Sequence, residues 1–200
     1  MYIIGITGGS GAGKSIAMQA LKTLGALTLD CDAIYHELLI DSTQMKTAIR
    51  TRFNDVLTDG VIDRKKLGEI VWSEPESLHD LNAITHSFIN DEVDKRIDVF
   101  KTQGGKIAAI EAIALIESGK SSKCDVVVGI TAPVEKRLSR IIKRDNITIE
   151  YAKKRINAQQ QDSYYIDNCD YILGNIYDTH PEFENKCIEF FEELMRRTDP

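Results

Sequence analysis

Residues 8–15 read Gly8-Gly9-Ser10-Gly11-Ala12-Gly13-Lys14-Ser15 and satisfy G-x-x-x-x-G-K-[ST] in full. No other segment restricts the fold as much, because the pattern works only between a strand and a helix. Its glycines let backbone N–H groups approach phosphate oxygens with no Cβ in the way. The helix that follows adds uncapped N–H groups and the positive end of its dipole. Both flanks fit. Tyr2–Ile6 is a short apolar run ending at the glycines, and Ile16, Ala17, Ala20, Leu21 and Leu24 recur at helical spacing before Gly25, which is placed to stop that helix. The motif therefore predicts a nucleoside triphosphate site. Gly9, Ser10, Gly11, Ala12, Gly13, Lys14, Ser15 and Ile16 would surround the phosphates, with Lys14 reaching the β- and γ-phosphates and the Ser15 hydroxyl on Mg²⁺.

Four more apolar runs read as strands: Ala26–Leu29, Ile107–Ile110, Asp125–Ile130 and Tyr171–Leu173. Helical patterns lie between them, and Ser73-Glu74-Pro75-Glu76 has capping-box form with an early proline. The chain closes on an amphipathic helix with Phe183, Cys187, Phe190, Phe191 and Leu194 on one stripe. The expected class is α/β: a P-loop NTPase fold with a five-stranded parallel sheet flanked by helices. At 200 residues, one domain is expected, with a helical acceptor-side region at about 35–103 and a helical lid at about 136–160.

Charge narrows the ligand. The net charge of −6 argues against a protein that coats nucleic acid. Residues 136–155, however, carry eight bases and two acids, a +6 segment in a body of −12. Arg137, Arg140 and Arg144 stand at i, i+3 and i+7, on one helical face. This segment reads as a lid whose guanidinium groups close on a short polyphosphate, with Lys14 and Arg140 neutralising the charge that develops during transfer.

The four cysteines show no C-x-x-C spacing and the histidines no metal-binding pattern, so neither a zinc site nor a disulfide framework is expected. With no basic, apolar leader at residues 1–6 and no long apolar run, the expected setting is cytoplasmic and away from membranes.

The D-x-x-G switch and N-K-x-D reader of regulatory GTPases do not occur, and the length suits a small-molecule kinase. Such an enzyme needs a carboxylate to orient the acceptor hydroxyl and take its proton. Asp30 and Asp32 follow the second strand, at the rim where open α/β sheets bind ligands, although an aspartate there can equally cap a helix. Glu111 ends the third strand and is placed to hold a Mg²⁺-bound water.

In order along the chain, these segments resemble the dephospho-CoA kinase family. Asp30-Cys31-Asp32 resembles its D-x-D, Asn82–His86 the approach to its His-Pro, and Leu115-Ile116-Glu117 the end of its P-L-L-F-E. Arg155-Ile156-Asn157-Ala158-Gln159 matches R-I-x-x-Q, and Asp170–Asn175 resembles A-D-Y-V-I-D-N. The resemblance implies transfer of the ATP γ-phosphate to the ribose 3′-hydroxyl of dephospho-CoA, with Mg²⁺. It implies Asp32 as catalytic base, Arg140 and Arg144 as lid arginines, and Asn175 near the ATP adenine. His86, Glu117 and Arg155 would lie on the acceptor side. The chain departs from the pattern at Ser87, at Ile113-Ala114 and at Gly174. Another P-loop nucleotide or metabolite kinase, or a catalytically silent ATP-binding regulatory protein, would fit the residues without the resemblance.

Overall fold

The computed structural model describes residues 1–54, 56–58 and 61–198. In chain order the elements are β1 (Tyr2–Thr7), α1 (Lys14–Thr23), β2 (Leu27–Asp30), α2 (Cys31–Asp41), α3 (Thr43–Arg52), β3 (Leu57–Thr58), β4 (Val61–Ile62), α4 (Arg64–Ser73) and α5 (Pro75–Thr102). They continue with β5 (Ile107–Glu111), β6 (Val126–Thr131), α6 (Val134–Asp145), α7 (Ile149–Asn157), α8 (Asp162–Asn168), β7 (Tyr171–Gly174) and α9 (His180–Thr198). The chain divides into two compact units: Met1–Leu29 with everything from Val99 onward, and Asp30–Asp98.

The first unit is built on the expected five-stranded parallel sheet, in the order β2-β5-β1-β6-β7. β1 lies between β5 and β6, with Ile4 opposite Ala109 on one side and Val126 on the other. Alternation sends Ile4, Ile6, Val126, Val128 and Ile130 into the core shared with α1 and α9. The terminal stripe meets them as its spacing predicts: Phe183, Cys187 and Phe191 are fully buried, and Leu194 nearly so. Each such side chain contributes about 1.5–3 kcal/mol of apolar burial. Phe190 sits at the stripe's margin, half-buried, with its ring edge-on to Tyr171. α1 stops where the sequence stops it. Gly25 adopts φ +85°, and the N–H groups of Gly25 and Ala26 close on the carbonyls of Lys22 and Leu21.

The second unit packs α2–α5 and a short hairpin around Leu39, Met45, Ile49, Phe53, Ile62, Leu67 and Leu81. The β3–β4 hairpin was not expected, since two-residue strands leave no period to read. The capping box also falls out of register. Ser73 ends α4, its hydroxyl donating to the Ile70 carbonyl, while Glu74 accepts from the Ser77 hydroxyl at 2.8 Å as α5 begins at Pro75. Proline at the first helical position moved the start by one residue. Arg96 joins α5 to α2 by donating to Glu37 and Glu92.

No disulfide joins the four cysteines among the described residues. No helix there is long and apolar enough to cross a membrane. Burial pushes the Cys187 thiol up to about 12 and the Cys169 thiol to about 11, from an ordinary 9.0. An unfolded chain would lose these protons near 9 while the folded chain keeps them, so stability is fully present below about pH 9 and falls as pH rises through the folded values. The Tm is expected to drop between about pH 8 and pH 10.5; a flat profile would contradict this.

Candidate active site

The glycine loop leaves β1 and turns into α1 with Gly13 at the helix cap, where it supplies no side chain to satisfy the first N–H groups. Those donors, with the helix dipole behind them, suit an anion. Gly13 has φ +114°, and a Cβ there would lie 2.4 Å from the Asn175 amide nitrogen. Conformation and crowding both require glycine.

Lys14 begins α1 and is 8% exposed; its ammonium lies 3.6 Å from the Glu111 carboxylate at the end of β5. Parallel pairing of β1 and β5 sets these two groups at the same strand ends. Ser15, next in the chain, is exposed. A lysine and a carboxylate thus face each other at the loop.

Inside the loop, several groups expected to meet phosphate have partners of their own. The Ser10 N–H donates to Gln159 Oε1 at 2.9 Å, and the Gln159 amide donates to the Ser10 hydroxyl at 2.7 Å. The N–H of Ala12 donates to the Gly9 carbonyl and that of Ile16 to the Gly13 carbonyl.

The arginine row on α6 separates by depth. Arg137 is 3% exposed; it donates from Nε to the Ser10 carbonyl and from Nη2 to Gln159 Oε1, with Asp162 3.7 Å from Nη1. A Cβ on Gly9 would meet the Arg137 guanidinium, so a larger residue there would have to displace that buried side chain. Arg140 is half-buried and donates to the carbonyls of Gly11, Ala12 and Tyr177 and to Asn175 Oδ1. Burial holds its pKa below the ordinary arginine value. Its Nη1 is therefore directed at the loop's own carbonyls and its Nη2 at Asn175 and Tyr177.

Arg144 is exposed, one turn further on. It grips Asp145 through two hydrogen bonds, at 2.7 and 3.0 Å, and Asp145 also accepts from Arg155 at 2.7 Å. The Arg144 hydrogen bond, more than the neighbouring charges, holds the Asp145 carboxyl below its ordinary range.

Asn175 lies 1% exposed with both side-chain groups engaged: Nδ2 donates to the Ala12 carbonyl and Oδ1 accepts from Arg140. It braces the loop; neither polar group of its side chain is turned outward to a base. Gly174, just before it, has open space where a Cβ would lie.

In the second unit, Asp30 caps α2, its Oδ1 accepting from the N–H groups of Asp32 and Ala33 at 2.8 and 3.1 Å. Asp32 is the second residue of α2 and exposed. The capping alternative therefore belongs to Asp30 and leaves the Asp32 carboxylate outside that role. His86 lies half-buried on α5 of the same unit. Arg155 is on α7 of the first unit, paired with Asp145, and Glu117 follows β5 there. Sequence alone reads Arg137 as one of the lid arginines and Gln159 only as a motif letter; their positioning role is hidden because their partner Ser10 is 127 and 149 residues away.

The chain is similar to known proteins over nearly its whole length. The family model described as dephospho-CoA kinase matches residues 2–180. A dephospho-CoA kinase of Dehalococcoides mccartyi is 36% identical, covering 88% of this chain and 89% of that protein. A Thermus thermophilus crystal structure superposes with TM-score 0.82 at 25% identity, covering 96% of this chain and 97% of the other. The structure of dephospho-CoA kinase from Campylobacter jejuni gives TM-score 0.70 at 25% identity over 98% of each chain. With the glycine loop, its buried lysine and the family match over nearly the whole length, the chain belongs to the dephospho-CoA kinase family.

Proposed function

We propose that this protein transfers the γ-phosphate of ATP to the ribose 3′-hydroxyl of dephospho-CoA. The observation that carries the reading is the Lys14–Glu111 pair at the mouth of a glycine loop braced by Arg137, Arg140 and Asn175. The acceptor itself rests on family membership.

In the reaction, the acceptor oxygen forms a bond to the γ-phosphorus while the bond from that phosphorus to the β–γ bridging oxygen breaks, releasing ADP. Asp32 takes the hydroxyl proton. Lys14 offsets the charge that gathers on the β- and γ-phosphate oxygens. Arg144 exchanges Asp145 for a phosphate oxygen, an anion of similar geometry for a bidentate guanidinium. Arg140 and Asn175 act one step removed, holding the loop in the shape that receives the phosphates.

A magnesium ion fits these residues. Among the described residues, no three His, Cys, Asp or Glu groups could enclose a metal. Magnesium does not require such a cage, because it keeps several waters and binds through one or two protein oxygens plus phosphate. Ser15 and Glu111 supply hard oxygen donors of that kind and would hold it. When bound, it neutralises phosphate charge and polarises the transferring group.

A coupled ADP-release assay over dephospho-CoA, nucleoside monophosphates and other hydroxylated metabolites tests the proposal. Dephospho-CoA is expected to stimulate ADP release strongly, with phosphate appearing on the ribose 3′ position. Absence of stimulation by dephospho-CoA overturns the assignment. Stimulation by another acceptor would identify a related kinase, and ATP binding without turnover on any acceptor a regulatory protein.

A further inference from the structure

β1 is the central strand of the sheet, paired with β5 on one side and β6 on the other, and its last residue, Thr7, stands opposite Gly129. Thr7 is fully buried, where a hydroxyl without a partner would be costly. Strand alternation sends Ile4 and Ile6 to the core under α1 and α9, and so turns Gly5 and Thr7 to the opposite face. The chain that follows β5 runs over that face, close enough that a Cβ on Gly5 would lie 2.7 Å from Leu115 Cδ2. There the Thr7 hydroxyl donates to the Ile113 carbonyl at 3.1 Å, across 106 residues.

That bond falls where β5 ends. Glu111 is the last residue of β5, in register with Ile6. The Ala112 N–H donates to the Ile6 carbonyl at 3.2 Å, and from Ile113 the chain leaves the sheet in a run of turns. The carboxylate that faces Lys14 at 3.6 Å therefore stands at the end of a ladder, where strands fray most easily. The Thr7 hydroxyl, two residues further on, closes that end against a strand that is itself held on both sides.

We propose that Thr7 is a positioning residue for phosphoryl transfer. Through Ile113 it fixes the end of β5, so that the Glu111 carboxylate keeps its place opposite Lys14. The inference rests on the reading of Glu111 as a holder of magnesium and adds the group that keeps it there. Being buried, Thr7 acts through that carboxylate and not by touching a ligand. Groups that orient a metal-binding carboxylate commonly cost ten- to a hundredfold in metal affinity or activity when they are lost, roughly the scale expected here.

Thr7→Val removes the hydroxyl at nearly constant volume, and Thr7→Ser keeps it. In Thr7→Val, kcat is expected to fall about tenfold while the KM for dephospho-CoA stays within about twofold; Thr7→Ser should recover most of the loss. Calorimetry gives a readout without turnover. Magnesium should tighten ATP binding in wild type, and in Thr7→Val that gain should largely vanish while the magnesium-free affinity is kept. In a Glu111→Gln background, Thr7→Val should lower kcat no further, because the group it positions is already gone. A valine methyl against the Ile113 carbonyl can prevent folding, so Thr7→Ala is measured alongside and should show the same pattern. Equal losses of kcat in the two backgrounds overturn the proposal. So does a lowered Tm with kcat and the magnesium gain unchanged, which is the mark of a merely structural threonine. If wild type does not phosphorylate dephospho-CoA, the functional reading fails separately, and the magnesium dependence of ATP binding judges Thr7. A gain lost in Thr7→Val and restored in Thr7→Ser supports it; an equal gain in wild type and Thr7→Val overturns it.

Discussion

Asp32→Asn is expected to lower kcat by about 10²- to 10⁴-fold while the KM for ATP stays within about twofold. Asparagine keeps the size and the hydrogen-bonding reach of the side chain but cannot accept the acceptor's proton. The structure separates this effect from a folding defect, because the capping bonds of α2 run to Asp30 and not to Asp32. Asp30→Ala is the matched control. It removes two accepted N–H bonds and should cost about 1 kcal/mol of stability. Steady-state kinetics and thermal melting of the two variants should therefore move different observables. Undiminished turnover in Asp32→Asn would reduce that carboxylate to a surface charge.

Arg137→Met should destabilise the first unit by about 3–5 kcal/mol, the scale of removing one partner from a buried charged network. The loss leaves the Ser10 carbonyl without its guanidinium donor and removes one of the donors to Gln159 Oε1. It also removes the charge that faces Asp162. Because Ser10 lies within the glycine loop, the KM for ATP should rise with the loss of stability. Arg137→Lys tests the geometry: a single ammonium cannot serve both acceptors as a planar fork does, so rescue should be partial. Urea unfolding gives the stability, and a double-mutant cycle with Gln159→Leu should show coupling of about 0.5–3 kcal/mol. Strictly additive effects would mean that Arg137 and Gln159 do not act on Ser10 as one network.

These two predictions also mark how far the sequence could be read. Asp32 was legible as a carboxylate at a strand rim, because a short apolar run followed by D-x-D has only one place in an open α/β sheet. Which aspartate caps and which stands clear was not legible, since either can accept from an N–H two or three residues on. The arginine row poses the same problem more sharply. Arg137, Arg140 and Arg144 share one chemistry and one helical face, and nothing local tells them apart. Their different depths come from the glycine loop packed against α6, whose carbonyls draw in the first two and leave the third to pair with Asp145.

The sequence by itself determined what short-range physics can enforce. Glycine spacing required a phosphate-binding turn, short apolar runs marked five strands, and a 3.6-residue stripe required the terminal helix against them. The concentration of bases in residues 136–155 likewise located the cationic helices. Only the tertiary structure decided how those charges are used. Ser10 meets Gln159 and Ala12 meets Asn175 across chain separations that no periodicity spans. Partners so far apart are chosen by the packing of whole elements, which is why the site's chemistry was readable and its bracing was not.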